Sequence, residues 1–261
     1  MMKRHCLKVV LVSTLALMMS LAALATNASA QIVQVTRADA RHSIGFNLGY
    51  LSVKGEDGRP DICFTGDDDC DTLVANLRGT DPLFFQFKDF NFVTFGGEWL
   101  YGVSNYLETG VGVTFYQRSV PSVYRDLENR VTGAEIAQDL KLRTVPITAT
   151  VRFLPVGREG AVEPYIGAGV AFINWRYSET GEFVDSSDGS IFRANYRADG
   201  TAVGPVIVGG IRFPAGDALL AGVEVRWQKA KGDTNSVESQ LLGNKLDLGG
   251  TSINFTMHLR F

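Results

Sequence analysis

The chain has 261 residues, a formal net charge of −3 and 45% apolar side chains, and this mild acidity argues against a nucleic-acid partner, which would need a basic face or stripe. Its length would suit one or two soluble domains. The composition points elsewhere: glycine is abundant at 28 residues, proline sparse at 8, and apolar residues come in short alternating bursts.

Lys3, Arg4 and His5 precede an apolar run from Val9 to about Ala25, and Ala28-Ser29-Ala30 follows it. Residues 1–30 therefore read as a secretory signal peptide with an A-x-A cleavage site. The apolar core is shorter than the ~20 residues of a spanning helix, and no later stretch approaches that length, so no transmembrane helix is expected. The first residue after the cleavage point is Gln31 and not a cysteine, so a lipid anchor is not indicated. Loss of Lys3, Arg4 and Lys8, with no acidic residue among the first thirty, takes the formal charge from −3 to −6.

Residues 31–42 lack a sustained period and read as a short periplasmic lead-in to a domain covering 43–261. The first strand, SIGFNLGYLSV, sets Ile44, Phe46, Leu48 and Tyr50 opposite Gly45, Asn47 and Gly49. A long polar loop from Lys54 to about Lys88 contains CFTGDDDC. Export places Cys63 and Cys70 in an oxidising compartment, so a disulfide closing this loop is expected, the alternative being two free thiols. Asp67, Asp69 and Asp71 are candidates for a divalent metal. They lack the D-x-D-x-D-G calcium spacing, and a solvated acidic loop is the preferred reading.

The second strand, about Asp89 to Tyr101, sets Val93, Phe95, Trp99 and Tyr101 against Thr94, Gly96 and Glu98; a GVSN turn leads to the third, YLETGVGVTFYQR, with Glu108 on its polar side. Ser119 to about Leu140 reads as a second long loop with room for a helical turn. The fourth strand, LRTVPITATVRF, carries Arg152 inward, and the fifth is PYIGAGVAFINWRY. A third long polar loop runs from Ser178 to about Asp199. The sixth strand, TAVGPVIVGGIRF, has Arg212 on its polar side, PAGD turns the chain, and the seventh, ALLAGVEVRWQK, has Glu224 and Arg226. A fourth long segment, Ala230 to Lys245, leads to the closing strand, Asp247 to Phe261, expected to pair with residues 43–53.

Eight long strands whose connections alternate long and short describe an all-β, eight-stranded antiparallel up-and-down transmembrane β-barrel, with the long loops at one end and both termini at the other. A bilayer core requires a closed sheet with apolar side chains outward. A soluble barrel would reverse the faces and expose carboxylates to an apolar cavity, which is much costlier. Glu98, Glu108, Arg152, Arg212, Glu224, Arg226 and Arg260 then converge in a narrow lumen, where a salt-bridged plug near the tight-turn end is expected, with a catalytic or ion-conducting site as the alternative. Trp99, Tyr101, Phe153, Tyr165, Phe213 and Phe261 at one end, and Tyr50, Phe115 and Trp227 at the other, fit two interfacial girdles, although strand propensity also favours aromatics. Pro146 and Pro205 fall inside strands and predict local bulges or a register error.

The signal peptide, the eight alternating segments, PYIGAGVAF and the terminal strand resemble the small OmpA/OmpX-like outer-membrane β-barrels over nearly the whole mature chain. The resemblance implies a place in the Gram-negative outer membrane with loops extracellular and both termini periplasmic. It also implies contact with outer-membrane lipids and lipopolysaccharide, and an assembly signal in Phe255, Met257, Leu259 and Phe261 read by the barrel-assembly machinery. Unlike in two-domain members, no peptidoglycan-binding domain is expected after the last strand. Three functions fit: a non-enzymatic surface protein whose four long loops meet an unidentified extracellular ligand, a narrow pore for small solutes, and a barrel enzyme. The first is preferred, with the pore as alternative and no cofactor expected. An enzyme would need a nucleophile beside a base, and only His42, read as outside the barrel, and His258 are available.

Overall fold

The computed structural model describes residues 40–54, 71–78, 83–185 and 187–261. The expected signal peptide, the Cys63–Cys70 disulfide and the candidate ligands Asp67 and Asp69 lie outside the described residues. The main strands are β1 (His42–Val53), β2 (Phe92–Gly102), β3 (Leu107–Glu128), β4 (Glu135–Phe153), β5 (Glu163–Val184), β6 (Ile191–Pro214), β7 (Leu219–Gln228) and β8 (Gly250–Arg260). A short helix, α1 (Thr72–Arg78), and a 3-10 turn (Phe87–Phe90) lie between β1 and β2.

Each strand pairs antiparallel with its neighbours in sequence, and β1 pairs with β8 from Ser43↔Arg260 to Val53↔Gly250, so the sheet closes as an eight-stranded up-and-down barrel. Closure leaves the belt of the barrel without an open edge. The apolar alternate positions all point out: Ile166 is 60% exposed, Phe255 66% and Ile253 57%. An apolar belt of this extent around a lumen holding buried Glu and Arg is stable against lipid, not water, which makes the barrel a transmembrane one.

Several expectations are corrected. β1 starts at His42, whose backbone exchanges hydrogen bonds with Phe261 and whose ring stacks on Trp99, so this residue belongs to the barrel and not to the lead-in. The closing strand starts at Gly250; Asp247 ends a separate short strand, Lys245–Asp247, paired with Lys231–Asp233. Tyr165 points into the lumen at 4% exposure and leaves the proposed girdle, because it shares the parity of Glu163 and Gly167. Neither proline breaks the register. The β3–β4 ladder skips Pro146 and resumes unchanged between Val113↔Ile147 and Tyr116↔Thr144. Pro205 sits just past the last β6–β7 pair, Val206↔Gln228, where no ladder donor is required.

The stretches 119–140 and 178–199 are not loops but extensions of the β3–β4 and β5–β6 hairpins beyond the belt. Outside lipid a strand needs no apolar outer face, so their alternation is weak: in β4 the inward residues Ile136, Gln138 and Leu140 alternate with Ala137, Asp139 and Lys141.

Candidate functional site

The lumen is filled by two layers of different chemistry. The lower layer is ionic. Arg152 forks onto Glu98, with Nη1 to Oε1 at 3.1 Å and Nη2 to Oε2 at 2.5 Å, and Nη2 also lies 3.2 Å from Glu224 Oε2. Arg226 donates to Glu224 Oε1 from Nη2 at 2.9 Å and Nε at 3.1 Å, and the Tyr165 hydroxyl donates to Glu224 Oε2 at 2.9 Å. His258 Nε2 lies 2.8 Å from Glu98 Oε1. A second group centres on Glu108, which accepts from Arg212 Nη2 at 2.7 Å and Arg158 Nε at 3.0 Å. Arg260 forks onto Glu163 at 2.9 and 3.1 Å and donates to the Arg158 carbonyl at 2.8 Å. The guanidinium groups of Arg152 and Arg212 both lie over the Tyr165 ring, about 5 Å from its centre, and so link the two groups.

The structure thus places all seven lumen charges singled out in the sequence in one contiguous network. Four residues enlarge it: Arg158, Glu163, Tyr165 and His258. Glu163 and Tyr165 share the inward parity of β5, which the alternation from Ile166 to Phe172 would have revealed. Arg158 carries no such signal, because it lies in the turn between β4 and β5 and reaches in from below. Four glutamates and five arginines nearly balance, and the bidentate geometry offsets the desolvation that buried charges suffer.

The upper layer is apolar. Leu140 and Leu142 of β4, Ile173 and Trp175 of β5, and Tyr116 and Val120 of β3 face inward. They pack with Leu73 of α1, with Leu83, Phe85 and Phe90 of the same connection, and with Leu241, Leu246 and Leu248 of the segment between β7 and β8. The described parts of two of the four long connections therefore fold into the mouth as a cap. The Tyr116 hydroxyl donates to the Phe90 carbonyl. Asn76 of α1 donates from Nδ2 to Glu179 Oε1 at 2.5 Å, and the Tyr177 hydroxyl donates to the same oxygen at 2.8 Å. Burial raises the Glu179 carboxyl above its ordinary range.

Asp71, the one metal candidate within the described residues, is buried. Its Oδ1 accepts from the Leu73 amide at 2.9 Å and its Oδ2 from the Asp247 amide at 2.5 Å, joining the first residues of α1 to the last connection. Burial pushes its carboxyl up to about 6 against the opposing pull of those amides. No group of three metal-ligating side chains occurs among the described residues. Phe255, Met257, Leu259 and Phe261 all project from the outer face of the closing strand and its end.

No family model matches the sequence. No curated protein matches it either. Solved structures similar to it include Neisserial surface protein A, at 10% identity, covering 84% of this chain and 97% of that one with a TM-score of 0.43. The N-terminal β-barrel domain of Pseudomonas aeruginosa OprF is similar at 10% identity, with 85% and 99% covered and a TM-score of 0.37. Ail, the attachment invasion locus protein of Yersinia pestis, in complex with the heparin analogue sucrose octasulfate, is similar at 12% identity, with 85% and 97% covered and a TM-score of 0.37.

Proposed function

We propose that this chain is a closed, non-enzymatic barrel of the bacterial outer membrane that contributes to envelope structure and meets partners through its two extended hairpins. The observation that carries this reading is the double filling of the lumen, ionic below and apolar above, beneath hairpins that continue well beyond the lipid belt. Rigid scaffolds that display mobile or adaptable segments are the usual basis of surface recognition. In this reading the hairpins and cap are extracellular and both termini periplasmic. Outer-membrane lipids and lipopolysaccharide surround the belt. The outward residues Phe255, Met257, Leu259 and Phe261 are presented to the barrel-assembly machinery.

Two observations weigh against the alternatives. A pore for small solutes would have to pass the fork of Arg152 on Glu98 and then the packed cap. An enzyme built on His258 would need a hydroxyl at its Nε2, and that nitrogen meets Glu98 instead. The test is a set of intact-cell variants with the β3–β4 or the β5–β6 hairpin shortened to the belt, scored for binding, permeability and envelope integrity. Loss of surface binding with permeability unchanged is expected. Altered solute uptake with binding unchanged would reverse the reading in favour of the pore.

A further inference from the structure

Immediately beyond the apolar belt, β4, β5 and β6 carry an exposed basic patch on their outer faces. The last apolar row is Ile147↔Phe172↔Val203, and above it stands the mixed row Val145↔Asn174↔Thr201. The next row up is Arg143↔Arg176↔Asp199 and the one after it Lys141↔Ser178↔Arg197. Two arginines thus stand directly opposite each other on neighbouring strands, with Lys141 and Arg197 on the adjacent row. Like charges in that relation destabilise a sheet unless an anion lies between them.

The carboxylates nearby do not balance the patch. Asp199 accepts from Arg197 at 2.8 and 3.0 Å and lies 3.7 Å from Arg176. Asp139 stands one row higher, opposite Thr180. Arg143 has Gln117 and Arg176 as its cross-strand neighbours, and Lys141 has Ser119 and Ser178. Arg176 and Arg197 keep about half of their side-chain surface exposed, at 49% and 51%. A surplus of cations spread over two rows, at the level where acyl chains give way to headgroups, fits a ligand with several negative charges attached to acyl chains. Arginine binds phosphate oxygens bidentately, and cations beside a charged lipid surface draw it in.

We propose that Lys141, Arg143, Arg176 and Arg197 form a docking site for a glycolipid bearing more than one phosphate, whose acyl chains lie along Ile147, Phe172 and Val203. The proposal rests on the outer-membrane reading above, with these hairpins on the outer side.

The test uses the whole protein in phosphatidylcholine nanodiscs, with binding of bisphosphorylated lipid A and of its dephosphorylated form read by native mass spectrometry. Arg143→Gln with Arg176→Gln should weaken binding of the phosphorylated lipid by roughly 25-fold, about fivefold per cation. Arg193→Gln, higher on the β5–β6 hairpin and 3.7 Å from Glu182, should leave it unchanged. Heat-dependent gel migration confirms that each variant is folded. Equal binding of the dephosphorylated lipid, or unchanged binding by the double variant, overturns the site. Complete displacement of the lipid by millimolar inorganic phosphate overturns it too, in favour of a free-anion site. A barrel that fails to enter the nanodisc overturns the outer-membrane reading and this site with it, whereas an inserted barrel indifferent to phosphate overturns the site alone.

Discussion

Arg152 is the residue on which the ionic layer turns, since it bridges Glu98 and Glu224 from complete burial. Replacing it with Met removes the shared counter-charge of two buried carboxylates and should cost about 3–5 kcal/mol, measured by urea unfolding in detergent. His258→Ala removes only one of several partners of Glu98 and should cost less, about 1–2 kcal/mol in the same measurement. At the cap, Asp71 and Glu179 are both held above their ordinary ranges by burial. The docked state therefore keeps protons that the released segment gives up. Docking is most favourable below the ordinary Asp71 value of 3.8 and weakens as pH rises through about 6. Hydrogen exchange at the α1 amides, corrected for intrinsic rate, should show more frequent opening at pH 8 than at pH 5. Asp71→Asn should flatten that difference, and faster opening at the acidic pH would contradict the assignment.

Among the elements, the close approach of the last connection to the barrel wall gives the sharpest test of the cap. A Cβ on Gly232 would lie 2.5 Å from the Trp175 indole, so Gly232→Ala must displace one of them. A loss of about 1–3 kcal/mol is expected, together with a shifted tryptophan emission and faster proteolysis between β7 and β8. This element also shows where sequence reading stops. The lipid belt is legible because period-two alternation of Ile44, Phe46, Leu48 or of Val223, Val225, Trp227 is imposed by the bilayer itself. Glu98, Arg152 and Glu224 are legible as inward for the same reason, since each sits on the polar parity of such a strand. Leu73, Phe90 and Leu246 are not, because their partners are Leu140, Trp175 and their neighbours on distant strands, and nothing local in a polar connection marks them as buried. The hairpin extensions escape notice because strand residues outside lipid are free of the outward apolar rule. Arg158 is hidden because turns have no parity.

Taken together, the strands and connections shut this barrel twice, by ion pairs toward the tight-turn end and by an apolar cap at the mouth. Each layer closes the lumen independently, so loss of one should not open it. Planar-bilayer conductance tests this directly, comparing the wild type, a variant lacking both cap segments, between β1 and β2 and between β7 and β8, and that variant combined with Arg152→Ala and Glu108→Ala. Closure by two layers predicts no discrete channel events for the first two and stepwise conductance for the third. Steady channel events in the wild type that change size with Arg152→Ala or Glu108→Ala would contradict it and make the lumen a conducting pore.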